Sequence, residues 1–199
     1  MKKTVLAIAV LLMISACSVQ EPETKSGEAN QMKNPTAVLD TTAGTFKIEL
    51  FEDKSPITAG NFKKLASEGF YDGTRFHRVI ANFMVQGGDP LSKDISQARL
   101  WGTGNPGYAI QDEFIQGLSN LRGTIAMANS GPNSGGSQFF INVVDNTYLD
   151  WDKPPMSSKH PVFGKVIEGM EVVDAISRAQ TVPGDRPAKD IIVNKVTIQ

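Results

Sequence analysis

Phe76-His77-Arg78-Val79-Ile80 and, after a gap of two residues, Phe83-Met84-Val85-Gln86-Gly87-Gly88-Asp89 decide how this chain folds. Each is a short run rich in aromatic and β-branched residues, and the second stops at paired glycines. Runs of this length between glycine turns read as strands and are too short for helices. Outward from them the pattern recurs at 124–128, 138–144 and 161–167. Upstream, Thr45-Phe46-Lys47-Ile48-Glu49-Leu50 alternates apolar and polar residues, and Ala43-Gly44 turns it back onto Ala37-Val38-Leu39 as a hairpin. Residues 191–198 close the chain as another alternating strand. Two helices interrupt this β pattern. Ser55-Pro56 supplies an N-cap and a proline at the first helical position, Ile57, Phe62, Leu65 and Ala66 share one face, and Gly69 is placed as the stop. The second helix runs from Met170 to about Ala179, with Val172, Val173 and Ile176 inward. Many short strands and only two helices predict a β-barrel or sandwich whose open ends the helices cover. No internal repeat or second domain is visible.

The chain has 199 residues, 40% hydrophobic and 21% charged, ordinary values for one domain with a real core plus some extra sequence. A formal net charge of -1 gives no basic field for nucleic acid. The single cysteine, Cys17, excludes an intramolecular disulfide. His77 and His160 are far apart in sequence and belong to no ligand-spaced cluster, so no metal and no cofactor is expected.

That extra sequence lies at the N-terminus. Lys2 and Lys3 precede a nearly pure apolar run over residues 4–13, too short for a spanning helix but suited to a signal peptide. The run leads through Ile14-Ser15-Ala16 into Cys17, which resembles the lipobox of bacterial lipoproteins. The alternative is an ordinary secretory signal that happens to contain a cysteine. The resemblance implies cleavage after residue 16 and acylation of the Cys17 thiol. It also implies a domain held outside the cytoplasm on a bacterial membrane, since two or three acyl chains anchor durably where one does not. Loss of Lys2 and Lys3 would leave 18 basic against 21 acidic residues, a charge of -3. Residues 17–34 are polar without a hydrophobic period and read as the anchor cysteine and a flexible tether. The domain itself is expected over 35–199.

The two opening strings, taken with Met127-Ala128-Asn129-Ser130-Gly131-Pro132-Asn133, Gly136-Ser137-Gln138-Phe139-Phe140-Ile141 and Val162-Phe163-Gly164-Lys165-Val166, are similar in type, order and spacing to the signature of the cyclophilins. The resemblance covers residues 36–199. It implies a mainly β fold, a closed eight-stranded antiparallel barrel capped by two α-helices, and a peptidyl-prolyl cis-trans isomerase (rotamase). It carries over Arg78 and Gln138 as catalytic residues. Phe83, Met84, Phe140 and Leu149 would line the pocket for a substrate proline ring, with Tyr148 beside Leu149 and His160 at the rim. Gln86, Ala128 and Asn129, with Gln138, would hold the flanking peptide. Its partners would be proline-containing exported polypeptides, and the chain is expected to act as a monomer.

These residue types suit that chemistry. An X-Pro bond turns slowly because amide resonance opposes rotation, with a barrier of roughly 18–20 kcal/mol. No bond is made or broken, so the catalyst needs only to bind the twisted amide better than either planar isomer. Twisting localises the nitrogen lone pair, which can then accept a hydrogen bond from an arginine that keeps its charge. Each neutral hydrogen bond to the flanking peptide contributes about 0.5–1.5 kcal/mol, which predicts weak binding of many sequences.

Other readings compete at single positions. Phe139 and Phe140 could both be core, but neighbours on a strand face opposite sides, so Phe139 is expected inward and Phe140 toward the pocket. His77 reads as a hydrogen-bonded structural residue. Ser137 lacks the last glycine of a nucleophile elbow. The whole domain could also be a lipid-anchored peptide-binding or chaperone module with little turnover, although such a scaffold would be expected to lose Arg78 or its pocket. Three departures from the family pattern stand out. Tyr148 occupies a position where many cyclophilins have tryptophan, which removes an indole donor and predicts weaker binding of cyclosporin-type inhibitors. Residues 91–101 and 151–158 are insertions, and Trp101 and Trp151 within them are candidates for selecting substrates.

Overall fold

The computed structural model describes residues 33–154 and 159–199, so the signal segment, Cys17 and most of the tether lie outside the described residues, as do positions 155–158. Eight strands form one antiparallel sheet: β1 (Thr36–Thr41), β2 (Gly44–Leu50), β3 (Arg78–Ile80), β4 (Met84–Gly87), β5 (Thr124–Met127), β6 (Phe139–Asn142), β7 (Val162–Glu168) and, at the C-terminus, β10 (Val193–Ile198). Between β7 and β10 a small hairpin, β8 (Thr181–Val182) and β9 (Arg186–Pro187), stands apart as its own two-stranded sheet. The order in the large sheet is β10-β1-β2-β7-β5-β6-β4-β3.

The eight expected strands and two helices are all present, and the sheet curls into a barrel. Closure is narrower than a full ladder between β3 and β10. The segment ahead of β3 meets the start of β10 through the isolated bridge Arg75–Ile192. Around it Phe76 N–H donates to Ile191 O (3.0 Å) and Val193 N–H to Thr74 O (2.8 Å).

The alternation of β2 places Phe46, Ile48 and Leu50 in the interior, where they meet Val85, Ile125, Phe139, Ile141 and Phe163 from the facing strands. Phe139 is thus core, as its alternation predicts. Helix α1 (Pro56–Ser67) buries Ala59, Phe62, Leu65 and Ala66 against this core, and helix α2 (Met170–Ser177) buries Val173 and Ile176. Phe62 packs edge-on to Phe139 at 5.4 Å and at 5.6 Å from Phe163. Ile57, expected on the buried face of α1, is 45% exposed, because the inward face runs through Thr58, Ala59, Phe62, Leu65 and Ala66 and Ile57 lies off it.

Ser55 does hold the N-cap position, but its side chain does not cap the helix. The hydroxyl instead donates to Glu113 Oε2 (2.7 Å), and the Glu113 carboxylate accepts the N–H groups of Ile57 (3.3 Å) and Thr58 (3.0 Å). A carboxylate from a distant loop thus satisfies the first turn and complements its dipole.

The insertion at 91–101 is folded. Two short 3-10 turns, Pro90–Lys93 and Ile95–Leu100, carry it, and the buried Asp89 carboxylate ties its ends together. Asp89 accepts Leu91 N–H (2.7 Å) at one end and the N–H groups of Gly102 and Gly104 (3.2 Å) at the other. A Cβ at position 104 would stand 2.0 Å from Asp89 Oδ1, so only glycine allows this approach.

Candidate functional site

Strand register builds the site. Arg78 on β3 pairs with Gln86 on β4, Gln86 with Phe140 on β6, and Phe140 with Ala126 on β5. These four residues form one row across four strands, and side-chain alternation turns the row to the face opposite the barrel core. Met84, two residues from Gln86, shares that face. Met84, Ala126, Phe140, Leu149 and Val162 form a second apolar cluster, distinct from the interior one, with Phe83 and Ala128 packed at its margin.

Over this cluster lies an open cavity of about 380 Å³. Its lining contains Arg78, Phe83, Met84, Gln86, Ala128, Asn129, Phe140, Tyr148, Leu149 and His160, so the structure brings together every position carried over for substrate binding. Gln138 stands one step outside. It lines an adjoining, more polar groove with Thr103, Gly104 and Asn105, while Gln86 belongs to both spaces. Gln86 Nε2 donates to Gln138 Oε1 (3.0 Å), and Gln138 Nε2 donates to Gly104 O (2.8 Å). The two amides are therefore fixed by each other and by the glycine-rich segment that follows the first insertion.

The guanidinium of Arg78 is about half exposed, and its Nε lies 3.6 Å from Asp185 Oδ2. Asp185 holds a left-handed turn in the β8–β9 hairpin (φ 60°), and its carbonyl accepts Val79 N–H at 2.7 Å. The hairpin thus braces the strand that carries Arg78. At the opposite rim His160 Nδ1 is 3.0 Å from Met127 O, and since a carbonyl only accepts, Nδ1 carries the proton. Its ring meets Phe140 edge-on at 5.2 Å. Tyr148 stacks on Phe83 at 6.3 Å, so the ring that stands in place of tryptophan still covers the pocket wall.

Some expectations are corrected or narrowed. The ring nitrogens of His77 make no hydrogen bond of good geometry among the described residues, although the Arg75 backbone and the Gln138 side chain are close enough to favour the charged ring. Burial is the main structural feature of His77. Ser137 is buried and donates its hydroxyl to Gly88 O (2.8 Å), which leaves it no nucleophilic role. Trp101 is not part of the lining of the cavity of about 380 Å³: the guanidinium groups of Arg75 and Arg186 lie 5.4 and 5.5 Å from its ring. Sequence reasoning missed Asp89 and Asp185. Asp89 closes the opening motif, which was its only signal, and Asp185 lies in a stretch with no strand pattern.

Known proteins resemble this chain in sequence and in fold. The family described as cyclophilin type peptidyl-prolyl cis-trans isomerase/CLD matches residues 36–198. A peptidyl-prolyl cis-trans isomerase of Arabidopsis thaliana is 44% identical over 164 residues, covering 82% of this chain and 95% of its own length. Peptidyl-prolyl cis-trans isomerase A of Dickeya dadantii is 39% identical, with 99% of this chain and 97% of that protein aligned. The crystal structure of a Cryptosporidium parvum cyclophilin type peptidyl-prolyl cis-trans isomerase superposes with a TM-score of 0.72 at 29% identity, covering 83% of this chain and 98% of that one. A barrel whose outer face sets an arginine and a glutamine in register with an apolar cavity thus comes with a family match across the whole domain, and this chain belongs to the cyclophilin-type peptidyl-prolyl cis-trans isomerases.

Proposed function

We propose that this peptidyl-prolyl isomerase acts on exported proteins by seating a substrate proline ring on Met84, Phe140 and Leu149 while Arg78 stabilises the twisted amide. The observation that carries this reading is the row Arg78, Gln86 and Phe140, which puts a donor, an amide and an apolar floor side by side at one cavity mouth. The floor holds the ring, and the X side of the bond remains free to turn. Arg78 keeps Nε toward Asp185, which leaves its Nη groups to donate to the amide nitrogen as its lone pair localises. Gln86 and Gln138, locked to each other, offer fixed partners to the extended peptide. A Cryptosporidium parvum relative was crystallised in the presence of the dipeptide Ala-Pro, which supports a proline-sized site on this fold.

The leader and Cys17 support the second part of the proposal, that the enzyme is exported and lipid-anchored to a bacterial membrane, where proline-containing polypeptides would reach it as they emerge. The test of catalysis is exchange between proline isomers in a peptide, followed with the full chain and its Arg78→Ala variant. Loss of one preorganised donor to the transition state is expected to lower kcat/KM by about 10². Equal, slow rates for the two proteins would sink the catalytic role of Arg78.

A further inference from the structure

Beside the proposed proline cavity lies a second one of about 260 Å³, walled by Phe114, Asn129, Pro132, Trp151 and Lys159, whose aromatic residues belong to none of the motifs above. We propose that it is a substrate subsite, taking an apolar or aromatic side chain of a residue flanking the proline; this rests on the neighbouring cavity being the proline pocket. Four observations carry it.

The two cavities adjoin, since Asn129 lines both. A chain seated in one therefore runs within reach of the other. The walls are aromatic and preformed: Phe114 and Trp151 stack with ring centroids 6.4 Å apart and planes 25° from parallel. Trp151 is nevertheless 41% exposed, so much of its surface is open to a visitor.

The walls are also fixed. Asp150, next to Trp151, is buried and accepts Ser119 Oγ–H (2.5 Å), Asn120 N–H (2.7 Å) and the Asn120 side-chain amide (3.0 Å). Asn129 Nδ2 donates to Lys159 O (2.7 Å), and Asp112 exchanges two 2.8 Å bonds with Asn133, bracing the loop that carries Pro132. Rigid aromatic walls lose little entropy on binding.

The charged groups at its edge are already hydrogen-bonded within the protein. Lys159 Nζ is committed to Asp150 O (2.5 Å) and Asp112 Oδ2 to Asn133 N–H, one cation and one anion, each already engaged. What remains open is ring surface, and the volume suits one side chain rather than a larger ligand. Trp151 belongs to the insertion after Asp150, so this subsite would make the enzyme more selective than the shared proline pocket allows.

The chain has two tryptophans, so Trp101→Phe leaves Trp151 as the sole indole reporter. In that background, proline peptides carrying phenylalanine or alanine at one flanking position at a time are titrated by fluorescence and assayed for isomer exchange. At one position phenylalanine is expected to shift the Trp151 emission and to improve both Kd and kcat/KM roughly tenfold over alanine. Measured by exchange alone, Trp151→Ala should bring the ratio near one and Trp151→Phe should keep most of it, with urea midpoints confirming that both fold. Turnover without any phenylalanine preference, or a preference that survives Trp151→Ala, overturns the subsite and leaves the isomerase reading standing. Phenylalanine-dependent binding without turnover supports the subsite and overturns only the catalytic reading. Absence of any peptide binding overturns both.

Discussion

Both histidines of this chain sit where water does not reach them freely, and burial pushes both pKa values down. At His160 the Met127 carbonyl and the Asp112 carboxylate act against that shift without cancelling it, and at His77 the Asp89 carboxylate does the same. The folded protein therefore holds both rings neutral at pH values where the unfolded chain, titrating near 6.5, already takes up protons. Stability is fully present above that value and is lost as pH falls below it. The expected outcome is a lower urea midpoint at pH 5.5 than at pH 7.5, a difference that His77→Gln reduces. A midpoint that rises on acidification would contradict it. At this scale the sequence was legible where a residue's role follows from strand alternation, as for Phe139 and Phe140. It was silent where a role depends on a partner far along the chain. Asp185 meets Arg78 only because a hairpin returns to β3, and no local pattern announces that.

Helix α1 shows the same division one level up. Its proline, its length and most of its buried face follow from composition and period, and the structure places it within a residue or two of expectation. Its true cap, Glu113, lies 55 residues beyond Thr58. Replacing Glu113 with alanine strands the Ser55 hydroxyl and two N–H groups. This should cost about 1–2 kcal/mol, read from urea unfolding, while Glu113→Gln should recover part of the loss. The eight strands were readable because each is a short apolar or alternating run, most of them set off by glycine or other turn residues. The β8–β9 hairpin was not, because two-residue strands carry no period at all.

For the whole molecule, the proposed address depends on a single atom, the Cys17 sulfur. Cells making the full chain and given labelled palmitate should yield labelled protein in the membrane fraction, and Cys17→Ser should abolish the label and move the protein to the soluble fraction. Unlabelled wild-type protein found soluble would remove the anchor. If the enzyme does sit on a membrane, its local concentration is high and its neighbours are unfolded chains, a setting in which free sheet edges recruit strands. The narrow seam between β3 and β10 then has a second meaning. The outer edge of β3 is already occupied, with Val79 N–H bonded to the Asp185 carbonyl, and the bridge at Arg75 and Ile192 covers the approach to it. At Val79 the strand that carries Arg78 therefore has no free N–H for β-augmentation, which would help keep an isomerase placed among unfolded clients from being drawn into their aggregates along this edge.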